Sequence, residues 1–256
     1  MCIVFLALDT PDNSAGFTVL ANRDEFVDRP TAGAHRWTDR PGLIGGRDLE
    51  AGGTWLAVTP AGRFAAVTNV RAPDRVQSGK RSRGDLVTAW VDGGDSIAGF
   101  SHTLMATAGE YNPFNLLFGE KTDFVLYDGV EHTLLNLTRG VHAFSNGSPQ
   151  TPWPKVRHGR NAFEQALPVG RDTADSMVAV ARDATQAPDS ALPETGVPQD
   201  IERQLSSVFI PEGELGRGRY GTVSTSLLVW TPAGGFLQEW NWRSSAGEPH
   251  PRVIEL

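Results

Sequence analysis

Apolar positions fall into short runs separated by glycine, proline and polar clusters. The first run, Ile3 to Leu8, is unbroken and predicts a buried strand over 2–8. Residues 11–16 hold Pro11, Asp12, Asn13, Ser14 and Gly16, the residue types that favour a turn, and a strand over 17–22 returns the chain as a hairpin. Residues 28–50 carry no clear period and read as irregular. A second hairpin follows, with strands at 54–58 and 64–68 about the turn at 60–63. The period then becomes helical. Leu86, Val87 and Trp90, and after them Ile97, Phe100 and Leu104, predict helices over 85–91 and 95–108. Gly93-Gly94 separates the two, and Asp95 is a natural N-cap.

Short strands return at 114–118, 124–127, 132–137 and 140–144. A proline-rich connector leads into a helix over 154–166, with Pro154 in the first turn. Further helices are expected at 172–184, capped by Asp172 or Thr173, and at 199–205. A strand at 206–210, a Gly/Arg-rich loop at 213–221, a hairpin of 222–230 with 235–242 and a last strand near 251–255 complete the chain. Strand groups alternating with helix pairs imply a layered α+β architecture, two stacked antiparallel sheets with helices over both outer faces. No repeat or boundary divides it, so residues 1–256 read as one domain.

Composition narrows the classes. A chain of 256 residues buries roughly 70–75% of its unfolded surface and needs no covalent staple. Its one cysteine cannot form an internal disulfide, which fits a reducing, cytoplasmic setting. The opening strand lacks the basic start and long apolar core of a signal peptide. No run approaches the ~18 apolar residues of a membrane span. A net charge of −7 argues against nucleic acid as a partner.

The chemistry centres on Cys2. Removal of Met1 would give it a thiol beside a free α-amine, the equipment of an N-terminal nucleophile; equally, it reads as a small buried hydrophobe. The first hairpin brings Asn22, Arg23, Asp24 and Glu25 back to the chain start, as a site cluster or as a solvated ion pair. The second ends on Asn69 and Arg71. Asn69 could donate its amide to an oxyanion or cap a turn. The strand at 140–144 delivers Ser145 and Asn146. The basic loop at 78–84 reads as solvated, with an anionic ligand as the lesser reading. Leu192 to Gly196 spells a sortase sorting signal, but ordinary globular sequence follows it. Six histidines show no metal-ligand spacing, so no metal site is expected.

Met-Cys-Ile-Val-Phe at 1–5, Ala-Asn-Arg-Asp-Glu at 21–25, Gly-Gly-Thr-Trp-Leu at 52–56, Thr-Asn-Val-Arg at 68–71 and Arg-Ser-Arg-Gly at 81–84 occur together and in order. With Tyr-Asn-Pro-Phe-Asn-Leu at 111–116, Ser-Asn at 145–146, Pro-Trp-Pro-Lys at 152–155 and Tyr-Gly-Thr at 220–222, they resemble the Transport and Golgi organisation protein 2 family, also called the NRDE family. The resemblance implies a four-layer αββα sandwich similar to N-terminal nucleophile hydrolases. It implies Cys2 as nucleophile, its α-amine as base, Asn22–Glu25 as orienting groups, and Asn69 and Asn146 as oxyanion or amine-positioning amides. Arg71, Ser145, Arg219 and Tyr220 are then expected against substrate. Val223 stands where the family usually has arginine, with Arg217 or Arg219 as nearby substitutes. The implied activity is hydrolysis of a small acyl amide, which requires no cofactor. The other implied role is a non-catalytic module for haem, or for lipid or acyl-CoA homeostasis, with Cys2 or a histidine as ligand and arginines on the propionates.

Overall fold

A computed structural model describes residues 2–10, 13–168, 174–216, 218–243 and 251–256. The first sheet is built on β1 (Cys2–Thr10) and β2 (Asn13–Phe26). These lie beside β10 (Gly140–Phe144), β12 (Gly218–Thr231), β13 (Gly234–Asn241) and β14 (Arg252–Glu255), in the order β10-β1-β2-β12-β13-β14, with β11 (Gly213–Leu215) on β12. The second sheet runs in chain order from β3 (Thr31–Arg36) through β4 (Ile44–Asp48), β5 (Leu56–Val58), β6 (Arg63–Asn69), β7 (Phe114–Glu120) and β8 (Asp123–Asp128) to β9 (Thr133–Leu137). Every strand pairing in both sheets is antiparallel.

Alternation along β1 separates two cores. Val4, Leu6 and Leu8 point between the sheets, where they meet Leu56, Phe64 and Leu117 of the second sheet. Ile3, Phe5 and Ala7 point outward, against α3 (Pro154–Gln165) and α4 (Ala174–Ala181) through Val156, Phe163 and Met177. Gly159 makes the α3 contact possible, since a Cβ there would lie 2.6 Å from the Phe5 ring. On the far side, α1 (Gly84–Asp92) and α2 (Ile97–Thr107) cover the second sheet with Leu86, Trp90 and Phe100 over Ala65, Leu116 and Phe118. An unbroken apolar run such as 3–8 therefore marks a strand buried on both faces. The result is an α+β, four-layer αββα sandwich of two antiparallel sheets.

Several local expectations change. Residues 28–50 contain β3 and β4; Thr31-Ala32-Gly33-Ala34-His35-Arg36 lacks an apolar alternation because it is an edge strand held by its ladder to β4. The stretch 206–210 is not a strand; its polar backbone is met by Asp183 O, which accepts from Phe209 N at 2.8 Å, and by Thr222 Oγ1, which accepts from Ile210 N at 2.8 Å. The loop expected at 213–221 is β11 and the start of β12. Ser96, not Asp95, caps α2, its Oγ accepting from Gly99 N at 3.2 Å. The cap proposed for α4, Asp172 or Thr173, lies outside the described residues.

Candidate functional site

The site forms where strand ends from both sheets meet at the start of β1. The β1–β2 register sets Cys2 opposite Arg23. The β1–β10 ladder ends at Val4 opposite Phe144, and the chain continues past Cys2 as Ser145 and Asn146. Ser145 Oγ then donates to the Cys2 carbonyl at 2.8 Å, so a side chain extends what the ladder leaves off. The second sheet grips the same turn. Thr68 Oγ1 donates to Ser145 O at 2.6 Å, and Asn115 Nδ2 donates to Ser145 O at 3.0 Å and to Gly147 O at 2.8 Å.

Beside this junction opens a cleft of about 550 Å³, lined by Cys2, Arg23, Trp55, Asn69 and Tyr220 and walled by residues 80–84. Gly53 and Gly84 set that wall. A Cβ on Gly53 would lie 2.7 Å from the Gly84 carbonyl carbon, so the two backbones touch and the α1 start is held against residues 53–54. Cys2 is half-buried, and burial pushes its thiol up, with the Asp24 carboxylate adding and the Arg23 guanidinium opposing. The thiol thus needs a base to become a nucleophile.

The NRDE cluster is not a loop; it lies inside β2, and its members face different ways. Arg23 is buried over the Trp55 ring at 4.3 Å, 3.8 Å from Glu25 and 3.9 Å from Asp48. Asp24 accepts from Thr222 Oγ1 at 2.7 Å, and its main-chain oxygen accepts from Tyr220 Oη at 2.9 Å. Burial raises the Asp24 pKa, and the Lys155 charge opposes the rise. A bulge in β12 at Val223, between Thr222 opposite Asp24 and Ser224 opposite Arg23, lets these neighbours keep their separate partners. Asn22 points away from the cleft. Its Nδ2 donates to Ala181 O at 2.8 Å and Val208 O at 2.9 Å, and its Oδ1 accepts from Thr225 Oγ1 at 2.6 Å.

Of the two expected amides, Asn69 lines the cleft and Asn146 lies behind it, fully buried. Asn146 Nδ2 donates to Asn69 O at 3.0 Å, and its main-chain oxygen accepts from Arg71 N at 2.7 Å. Asn146 therefore positions the 69–71 turn. Arg71 is also behind the cleft, in a buried ion pair with Glu202 and over the Trp153 ring at 4.7 Å. Arg219 is exposed and paired with Glu212, outside the cleft lining; Arg217 lies outside the described residues. No histidine lines the cleft, and no cluster of three or more His, Cys, Asp or Glu able to hold a metal occurs among the described residues. Were a haem to bind in this cleft, Cys2 would be the thiolate donor available to hold its iron, and the lining offers no imidazole.

The family model described as Transport and Golgi organisation 2 matches residues 1–237. The chain belongs to that family. It is 33% identical over 214 residues to the Transport and Golgi organization protein 2 homolog of Bos taurus, covering 77% of each chain. It is 30% identical over 249 residues to the Mus musculus homolog, covering 90% of this chain and 88% of that one. Among solved structures it is similar to the C2A mutant of conjugated bile acid hydrolase from Clostridium perfringens, with 10% identity and a TM-score of 0.48, covering 99% of this chain and 92% of that one.

Two features of this Transport and Golgi organisation 2 chain escaped the sequence reading. Residues 80–84, within the loop read first as solvated and only second as an anion contact, form a cleft wall. Lys155 is buried behind Cys2, its Nζ donating to Leu205 O at 3.1 Å and lying 3.5 Å from Asn146 Oδ1. Burial pulls its pKa down to about 8, with the Arg71 charge adding and Asp24, Cys2 and Glu202 opposing. The signal was present: Lys155 shares the buried stripe of α3 with Gly159 and Phe163, at a spacing of four. No described helix is long and apolar enough to cross a membrane.

Proposed function

We propose that this protein is an N-terminal cysteine amidohydrolase acting on a small acyl amide. The observation that carries the reading is that Cys2 and the cleft-facing Asn69 line one polar cleft, at the point where both sheets fix the backbone around them. The reaction needs Met1 removed, which frees the α-amine of Cys2. An α-amine with a pKa near 8 is suited to take a proton from a thiol at neutral pH.

The thiol proton passes to that amine, and the sulfur attacks the amide carbonyl carbon. The carbonyl electron pair moves onto oxygen, where the Asn69 amide donates a hydrogen bond. Collapse breaks the C–N bond, and the ammonium proton leaves with the departing amine. Water then attacks the thioester with the α-amine as base, releasing a carboxylic acid and restoring the thiol. Arg23, opposite Cys2, favours the thiolate. Asn146 and Ser145 hold the 69–71 turn and the Cys2 carbonyl in place.

Intact mass followed by acyl-amide labelling tests the proposal. A mature mass lacking Met1, together with acylation that Cys2→Ala abolishes, supports it. Retained Met1 with no turnover across the panel defeats it, and a Soret shift on haem titration of that same protein would move the assignment to ligand binding.

A further inference from the structure

Five cations line the Cys2 cleft against three carboxylates, Asp24, Glu25 and Asp48, although the whole chain carries a net charge of −7. Three of the five are neutralised where they stand. Arg23 lies between Glu25 and Asp48; Arg29 bonds Asp48 at 2.7 Å and reaches Glu50 at 3.2 Å; Arg81 bonds Glu110 at 2.9 Å. The other two have no carboxylate within 4.0 Å among the described residues. Lys80 is spent on Gly109 O at 2.6 Å. Arg83 has only a long bond, Nη1 to Pro113 O at 3.4 Å.

Arg83 is half-buried and carries five N–H donors, most of them without a described partner. A guanidinium partly withdrawn from water into a cleft, with no acid partner, gains from an anion that reaches it. Burial accordingly lowers its pKa, with Glu25 and Cys2 opposing from across the cleft. The position is fixed rather than incidental. A Cβ on the next residue, Gly84, would lie 2.9 Å from Thr54 N, so the close contact of the α1 start with residues 53–54 holds Arg83 on the cleft wall. A ligand anion would supply the missing partner, and a positively lined cleft concentrates anions.

We infer that the substrate carries an anionic oxygen group, a carboxylate or a phosphate, beside its scissile amide, and that this group docks on Arg83. The inference rests on the hydrolase reading for the reaction, while the anion contact stands on the cleft alone. Iodoacetate and iodoacetamide deliver the same alkyl transfer to Cys2 and differ in charge, so their rate ratio reads the subsite without a substrate in hand. The expected ratio is about tenfold above that of a short cysteine peptide at the same pH and salt. Arg83→Gln returns it to the peptide value, and Arg83→Lys retains part of it, with circular dichroism confirming the fold of both. A wild-type ratio equal to the peptide's, or one unchanged in Arg83→Gln, overturns the inference. Protection of Cys2 by inorganic phosphate or by acetate tells which anion fits better, and protection by neither overturns it. Acyl-amide turnover without an iodoacetate preference removes the subsite and leaves the hydrolase; the preference without turnover does the reverse.

Discussion

The hydroxyl of Ser145 donates to the carbonyl of Cys2 at 2.8 Å, just beyond the end of the β1–β10 ladder. The same Oγ lies 2.9 Å from Asn146 Oδ1, so its single proton serves one acceptor at a time. That side chain fixes the height of Cys2 against the floor of the cleft.

Ser145→Ala leaves a part-buried carbonyl without its donor, at a cost of about 1–2 kcal/mol. Urea unfolding should show that loss. Native-state hydrogen exchange should place the loosening at residues 3–5 and leave the centre of β12 protected. A stability change below about 0.3 kcal/mol, within the range of neutral surface changes, with exchange at 3–5 unaltered, would show that the bond holds nothing.

Arg71 and Glu202 form a buried ion pair behind the site, with Thr195 Oγ1 also bonded to Glu202. Removing one partner strands the other charge. Glu202→Met should cost about 3–5 kcal/mol, whereas the double change Arg71→Met with Glu202→Met should cost clearly less than the sum of the two singles. Chemical denaturation of the four proteins measures the cycle. Additive losses would show that the two side chains do not stabilise one another.

The architecture was legible because its signals are local and repeated. The run at 3–8, the turn residues at 60–63 and the helical spacing from Leu86 to Leu104 each name an element, and their order names the layers. What failed to show was whatever depends on long-range pairing. The β3 segment has no apolar period, and only its ladder to β4 makes it a strand. Position along the chain placed Asn22 with its neighbours, yet alternation in β2 turns its amide to the helix layer, where it bonds Ala181 and Val208. The basic loop at 78–84 stands out in the sequence, with an anionic ligand as its lesser reading, but its place on the cleft wall depends on the close approach of the Gly53 and Gly84 backbones, which no local pattern shows. A polar residue near a nucleophile in sequence is therefore weak evidence of where its side chain points.

Lys155 gives the site a pH signature. Its pKa is about 8 in the folded protein, against 10.5 for an exposed lysine. Between these values the unfolded chain binds the proton and the native one does not, so stability from this group rises with pH across that window. It is fully present above about 10.5 and is lost as pH falls through about 8, a change of about 3 kcal/mol. Lys155→Met removes the group, and comparing wild type with the variant cancels the other titrations. The wild-type stability should gain on the variant by most of that amount between pH 7 and pH 10 in urea unfolding. A difference that stays flat over the range would mean that Lys155 keeps an ordinary pKa and is reached by water.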